Sequence, residues 1–554
     1  MSYDEPGPES HHQPSLGGSF SDGDVLAGGS IERPRRNIAA IVVSLVAVLA
    51  VIGGAVGYVG YHKLASSGSQ PDQWAPANSI AYLKLDFDPA ASEKISALRF
   101  EQKFPDAPHV TSADQLKDAL LNEVFDTSGS TDIDYATDVK PWLGDRVALA
   151  VYPDASGAAQ VVGIVAVKDA DAAKTDLPKL VQGQGDAAFA LEGDYAIVGQ
   201  TQAAVNAAVA AAKASNITAS STYSSDIATL KGDRILTGWA DLGALVKLAA
   251  ASAAQDLSNL GGLGGLGALG GLGGLSSLSA GSGFQAMTSA RDDAPGLQVL
   301  TSVASNASAP SVTSVASAVK GRLVFGLQLQ PGYADFEGRV IGSDVSGYHN
   351  GNAASLLGQL PAGSIAGLSV SGLGDVLTQE LATLAKSPLM AAGIQTQLDA
   401  LGTKLGIALP GDAINLLGNE FAAGLDSVPA GHGTAKFTVI TQPTDQAKGL
   451  TTAQKLASSI DQGTAAPTVR TAGSEVIISN DAQATGLLGD EPAFKAAMSG
   501  VPDQVVGAVY VDLAGIWAAE PGTVQSDITH LTGLGGYEAI DGNDLVFDAR
   551  LTVG

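Results

Sequence analysis

The order of sequence elements in residues 76–341 recurs in residues 361–553, and a chain that repeats its own pattern is expected to build the same unit twice. Pro76-Ala-Asn-Ser-Ile-Ala-Tyr-Leu matches Pro361-Ala-Gly-Ser-Ile-Ala-Gly-Leu, each opening a strand after a proline. Leu143-Gly-Asp-Arg-Val-Ala-Leu-Ala pairs with Leu417-Gly-Asn-Glu-Phe-Ala-Ala-Gly, and further apolar runs follow at 161–167 and 437–440. Gly193-Asp-Tyr-Ala-Ile-Val matches Gly473-Ser-Glu-Val-Ile-Ile, with a helix rich in small residues after each. Arg234-Ile-Leu-Thr-Gly-Trp-Ala-Asp-Leu aligns with Val505-Val-Gly-Ala-Val-Tyr-Val-Asp-Leu, where Asp241 and Asp512 are expected as helix N-caps. Last come two hairpins, turning at Pro331-Gly332 and at Asp541-Gly542-Asn543.

Short turns between successive apolar runs favour antiparallel pairing, so the expected class is α+β: two duplicated lobes of mainly antiparallel sheet with helices. Lobe 1 is placed at 76–341 and lobe 2 at 352–554. A Gly/Leu-rich insertion at about 257–283 breaks the symmetry. Leucine recurs there at every third position between glycines, a period that suits neither an amphipathic helix nor a strand.

Upstream of the repeat, residues 38–61 carry no charge and would span about 36 Å as a helix, enough to cross a bilayer. Arg33, Arg35 and Arg36 precede this run and Lys63 alone follows it closely, so the positive-inside bias puts the N-terminus in the cytoplasm. A cleaved signal ending near Ala65-Ser66-Ser67 is the alternative; the run is longer and starts later than signals do. Residues 1–37 have the composition of a disordered tail, and 62–75 that of a linker. Gly53 and Gly57, four apart, fit a close-packing face through which the helix would form a homodimer.

A formal net charge of -26 opposes nucleic-acid binding, and the absence of cysteine excludes disulfides, thiolate catalysis and Cys-bound metals. Hydrolase, NTPase and dinucleotide-binding motifs are missing, so no catalytic residue and no cofactor is assigned. Acidic side chains remain. Asp126, Asp132 and Asp134 in a Ser/Thr/Gly loop offer the oxygen ligands calcium prefers, against the plainer reading of a solvated acidic loop. Asp86 and Asp88 close the first strand; a carboxylate enzyme would need one of them to face another buried acid, and lobe 2 has serines in that place. Trp142 and Trp239 are read as core residues, or as the lining of a ligand groove between lobes.

The run PANSIAYLKLDFDP at 76–89, the segment FEQKFP at 100–105, VKDADAAK at 167–174 and GDYAIV at 193–198 resemble an uncharacterised actinobacterial family of single-pass membrane-anchored proteins with a domain of unknown function. The resemblance implies a plan of tail, one helix and a large exported region in the plasma membrane, and brings no catalytic or binding residues with it. The leading expectation is a non-enzymatic binding or scaffolding protein of the cell envelope, with bilayer lipid and another envelope protein as partners. A carrier for an apolar lipid or glycolipid is second, and a carboxylate-dependent hydrolase third.

Overall fold

Short apolar runs, alternating with polar residues in some and buried on both faces in others such as 195–199, form sixteen strands in the computed structural model, which describes residues 69–88, scattered positions from 96 to 118, and residues 134–182, 187–253, 320–384, 388–427, 435–459, 467–481, 485–519 and 529–554. They are β1 (Ala81–Asp86), β2 (Leu143–Pro153), β3 (Ala159–Val167), β4 (Ala188–Glu192), β5 (Tyr195–Gly199), β6 (Leu236–Asp241), β7 (Arg322–Gln330) and β8 (Tyr333–Ile341). The chain continues with β9 (Ala366–Ser371), β10 (Glu420–Ser427), β11 (Lys436–Gln442), β12 (Thr468–Ala472), β13 (Glu475–Ser479), β14 (Gly507–Val511), β15 (Leu531–Asp541) and β16 (Asp544–Val553).

All sixteen belong to one sheet, in the order β12-β13-β11-β10-β9-β14-β15-β16-β8-β7-β6-β1-β2-β3-β5-β4, with every neighbouring pair antiparallel. The class is therefore mixed α+β with a large antiparallel sheet and several helices. The sheets expected in two lobes are continuous, because the outer strands of the two sets, β8 and β16, hydrogen-bond to each other. Reading outwards from that seam, β8 to β1 and β16 to β9 follow the same order, so each strand of half 1 (β1–β8) has a counterpart in half 2 (β9–β16).

Local chemistry explains the counterparts. The Pro-x-x-Ser openings are tight turns: Ser79 donates to the Pro76 carbonyl through N (3.0 Å) and Oγ (2.6 Å), and Ser364 to that of Pro361 through N (3.1 Å) and Oγ (2.8 Å). Gly193 and Gly473 turn the β4–β5 and β12–β13 hairpins at φ +57°, a conformation costly for residues with a Cβ. Asp241 Oδ1 accepts from Ala244 N at 2.8 Å and Asp512 Oδ1 from Gly515 N at 2.9 Å, so both act as the expected helix caps.

Helices cover both faces of the sheet. On the first face, Gln202–Ala214 and Ser221–Ile227 bury Val205, Ala208 and Tyr223 against Tyr82, Ile164 and Trp239 in half 1. Ala353–Leu357 and Pro492–Ala497 do the same against Tyr510 and Ala508 in half 2. On the second face, Ala170–Gln182 packs Ala173 and Leu177 into the cluster that holds Leu85, Val147, Leu149, Leu236 and Leu327. That cluster crosses the seam through Phe325, Phe336 and Phe547, with centroids 5.5 Å and 5.9 Å apart in succession.

Among the described residues no helix is long and apolar enough to cross a membrane; the 38–61 run, Gly53 and Gly57 with it, lies outside them. The same holds for the tail and the Gly/Leu-rich insertion.

At Gly338 an added Cβ would meet the Phe547 ring at 2.2 Å, so this glycine lets the ring of one half lie flat on a strand of the other. Phe547→Ala is expected to cost about 3–5 kcal/mol in urea unfolding of the full chain, the range for a buried phenylalanine.

Candidate functional site

The seam carries opposite chemistry on its two faces, because side chains alternate along β8 and β16. Phe336 and Phe547 point to one side; Asp335, Glu337, Asp548 and Arg550 point to the other. The register sets Glu337 directly opposite Asp548 and Asp335 opposite Arg550. Counting outwards from the turns at Pro331-Gly332 and Gly542-Asn543, Glu337 and Asp548 hold the same position in their hairpins, so these two carboxyls sit where the halves mirror one another.

Like charges directly opposite each other destabilise a sheet unless something intervenes. Two arginines do so here. Arg550 donates to Asp335 Oδ1 through Nε and Nη2, both at 3.2 Å, and its guanidinium lies 4.1 Å from the centroid of the Tyr333 ring. A third donation goes to the Ser499 carbonyl. From half 1, Arg234 reaches over β7 to Glu337 and also bonds the Lys231 carbonyl. Its path needs Gly326, where a Cβ would stand 2.0 Å from Arg234 Cδ.

The outcome is three carboxyls, each with an oxygen within 4.8 Å of the others, beside the buried Arg234 and the half-buried Arg550 guanidiniums. Burial pushes the Asp548 carboxyl up to about 7, with Asp335 and Glu337 adding to the rise and Arg550 and Arg234 opposing it. Across β15, the Tyr537 hydroxyl is raised to about 12, chiefly by burial and then by Asp548, Glu337 and Asp335. Near neutral pH this group can hold or release one proton. Oxygen donors this close could ligate a divalent cation, but Asp335 and Glu337 are each already neutralised by an arginine, so the geometry fits an ion-paired clasp better than a metal centre.

The residues singled out from sequence lie elsewhere. Trp142 and Trp239 are both buried in half 1 but on opposite faces of the sheet, and the structure does not bring them together. Trp142 Nε1 donates to the Asp138 carbonyl, and Trp239 Nε1 to Asp226 Oδ2, each at 2.8 Å. Asp134 caps the turn Tyr135–Val139 by accepting from Thr137 N at 2.9 Å; Asp126 and Asp132 lie outside the described residues. Asp86 is buried and faces Arg146, at 3.0 Å, rather than another acid, so it lacks the partner a carboxylate pair requires. Asp88 donates its backbone N–H to Asp86 Oδ1.

Comparison with known proteins adds one match. Residues 40–268 match the model of a family described as Protein of unknown function (DUF3352). The expected likeness to a domain of unknown function holds over that stretch. The DUF3352 match takes in β1–β6 and Arg234 but neither β8 nor β16, so the seam itself lies beyond it. No curated protein and no solved structure matches the chain.

The raised carboxyl has a pH consequence. The folded Asp548 value, about 7, lies above the ordinary carboxylate value of 3.8, so the folded state binds more protons than the unfolded one between these limits. Stability from this group is full below about pH 4, falls by up to about 1.4 kcal/mol per pH unit, and is lost above about pH 7. Asp548→Asn is expected to flatten that slope and to be more stable than the parent at pH 8, measured by urea unfolding at a series of pH values.

Proposed function

We propose that the chain is a non-enzymatic binding or scaffolding protein of the cell envelope, anchored by residues 38–61 in the plasma membrane with residues 1–37 in the cytoplasm and the sheet outside. The observation that carries the reading is the β8–β16 pairing, which turns two sets of strands into one broad platform. We further propose that the two halves arose by internal duplication, a reading supported by their shared strand order and by the sequence blocks that fall on counterpart strands. A platform of this kind offers a partner two similarly arranged surfaces at fixed separation, and antiparallel pairing with a filled aromatic seam resists bending between them. Repulsion between an acidic surface and anionic headgroups favours a protein partner over direct binding to acidic lipid.

A carrier for an apolar ligand is the second reading. It gains support from the second face of half 2, where apolar side chains of β9, β10 and β14 are only half-buried. The hydrolase reading gains none from Asp86, which is spent on Arg146.

Photocrosslinking in living cells tests the platform. A benzophenone amino acid at Asn206 and another at Lys495, both exposed on helices of the first face, are expected to yield discrete adducts with one and the same envelope protein. External protease is expected to degrade the region from 69 onwards in cells stripped of their outer layers. Adducts absent at both positions, or a protected sheet region, would count against this reading.

A further inference from the structure

The two halves share a strand order but not a surface, and the difference is concentrated at three neighbouring positions on the second face. In half 1, Leu236 lies opposite both Leu85 and Leu327, with Phe325 two residues along β7. In half 2, Gly507 lies in the corresponding place opposite Val370, with Glu538 on its other side and Gly536 two residues along β15. Leu236, Phe325 and Leu327 thus have Gly507, Gly536 and Glu538 as counterparts. Two large apolar side chains are replaced by hydrogen atoms, and a third by a carboxylate.

In half 1 this place is sealed core, with Leu236 and Phe325 each 3 % exposed. Around it Leu85, Val147, Leu149 and Leu327 are buried, whereas their counterparts Val370, Phe421, Ala423 and Glu538 are all half-buried. Buried clusters on the second face of half 2 lie under the helices Gly411–Leu417 and Gln446–Ser459, over β11 and β13, and do not extend across β9, β10 and β14. Gly507 shows the space. Elsewhere on this face a neighbouring ring occupies the room a glycine leaves: Phe325 comes within 2.2 Å of a Cβ at Gly238. At Gly507 the only described atom within 4 Å of an added Cβ is the Ser369 carbonyl oxygen, 3.3 Å away; Gly536 is itself buried, with the Asp548 carbonyl oxygen of the adjoining strand 3.0 Å from its Cβ position. Truncation of a single buried leucine can open a cavity of roughly 150 Å³ that takes an apolar guest; here a leucine and a phenylalanine are missing.

Glu538 stands at the rim of this ground, and among the described residues its carboxyl has no hydrogen-bond or ion-pair partner. Burial alone pushes it up to about 7. An isolated carboxyl on an apolar face is costly unless something pairs with it.

We propose that Gly507, Gly536 and Glu538 form a binding site for an amphiphile, its aliphatic chain lying over the two glycines and against Leu368, Val370 and Val509, and its protonated amine paired with Glu538. Charge complementarity selects the amine: among the described side chains around Gly507 the polar one is the Glu538 carboxyl, which has no hydrogen-bond or ion-pair partner there. This deepens the carrier reading and is independent of the platform, since crosslinks to a protein partner could be present or absent without affecting it.

The test is photolabelling of the full chain in its native membrane with a long-chain amine bearing a diazirine on its alkyl chain. Labelled peptides are expected to include β9, β14 and β15, and unlabelled dodecylamine should compete while dodecanoate does not. Glu538→Leu, which installs the half 1 residue, is expected to lower labelling there at least fivefold while leaving any labelling of 38–61 unchanged. Gly507→Leu should do likewise by filling the trough. Thermal unfolding at pH 8 monitors folding, and Glu538→Leu should be no less stable than the parent there, so it remains a valid test should the glycine variant fail to fold. Labelling confined to other segments, equal competition by dodecanoate, or labelling of β14 and β15 unchanged by Glu538→Leu would overturn the proposal.

Discussion

Everything beyond the individual halves depends on the β8–β16 ladder. A sheet edge with unpaired N–H and C=O groups is a liability that must be covered, blunted or paired, and here each set of eight strands covers one edge with the corresponding edge of the other. Antiparallel pairing of counterpart strands brings like residues face to face, which is favourable for phenylalanine and unfavourable for carboxylates. The aromatic side therefore supplies the binding energy, and the charged side has to be made tolerable. Arg234 and Arg550 do so by neutralising Glu337 and Asp335, which leaves Asp548 to bear the remaining cost as a raised proton affinity.

Much of the fold was legible because its signals are local. The serine of Pro-x-x-Ser closes a turn within four residues, Asp241 and Asp512 cap the helices that follow them, and glycine turns mark hairpins whatever surrounds them. The sequence blocks that match between 76–341 and 361–553 fall on strands holding corresponding places in the sheet. The seam was not legible. Asp335, Glu337, Asp548 and Arg550 alternate with apolar residues as the solvent-facing side of any strand would, and only the register shows that they meet. Asp86, by contrast, is conspicuous in the sequence as one of two neighbouring acids, and the sheet pairs it with Arg146. Trp142 and Trp239 are core, as their apolar bulk suggests, but they belong to clusters on opposite faces of the sheet and so do not line a common groove.

The trough needed both kinds of information. Gly507 and Gly536 read as ordinary glycines in a chain with 68 of them, and Glu538 as one acid among 56 acidic residues. Their meaning appears only when each is set against its counterpart through the hydrogen-bond register, where a leucine, a phenylalanine and a second leucine stand in half 1.

Elsewhere the two halves carry different residues at corresponding places while keeping the same strand order. The end of β1 meets β2 through the buried pair Asp86 and Arg146; in the corresponding place Ser371 donates to Glu420, which also accepts from Asn352 N at 2.7 Å. Trp239 packs edge-on against Tyr223 at 5.6 Å, and its counterpart Tyr510 against Phe494 at 5.1 Å. In these exchanges one paired or packed arrangement stands where another does, and the strand order is the same. Replacing Leu236, Phe325 and Leu327 by Gly507, Gly536 and Glu538 is of another kind, since it removes packing and leaves a carboxyl without a partner. Among the described residues the corresponding region of half 1 is sealed, so this deficit is confined to half 2.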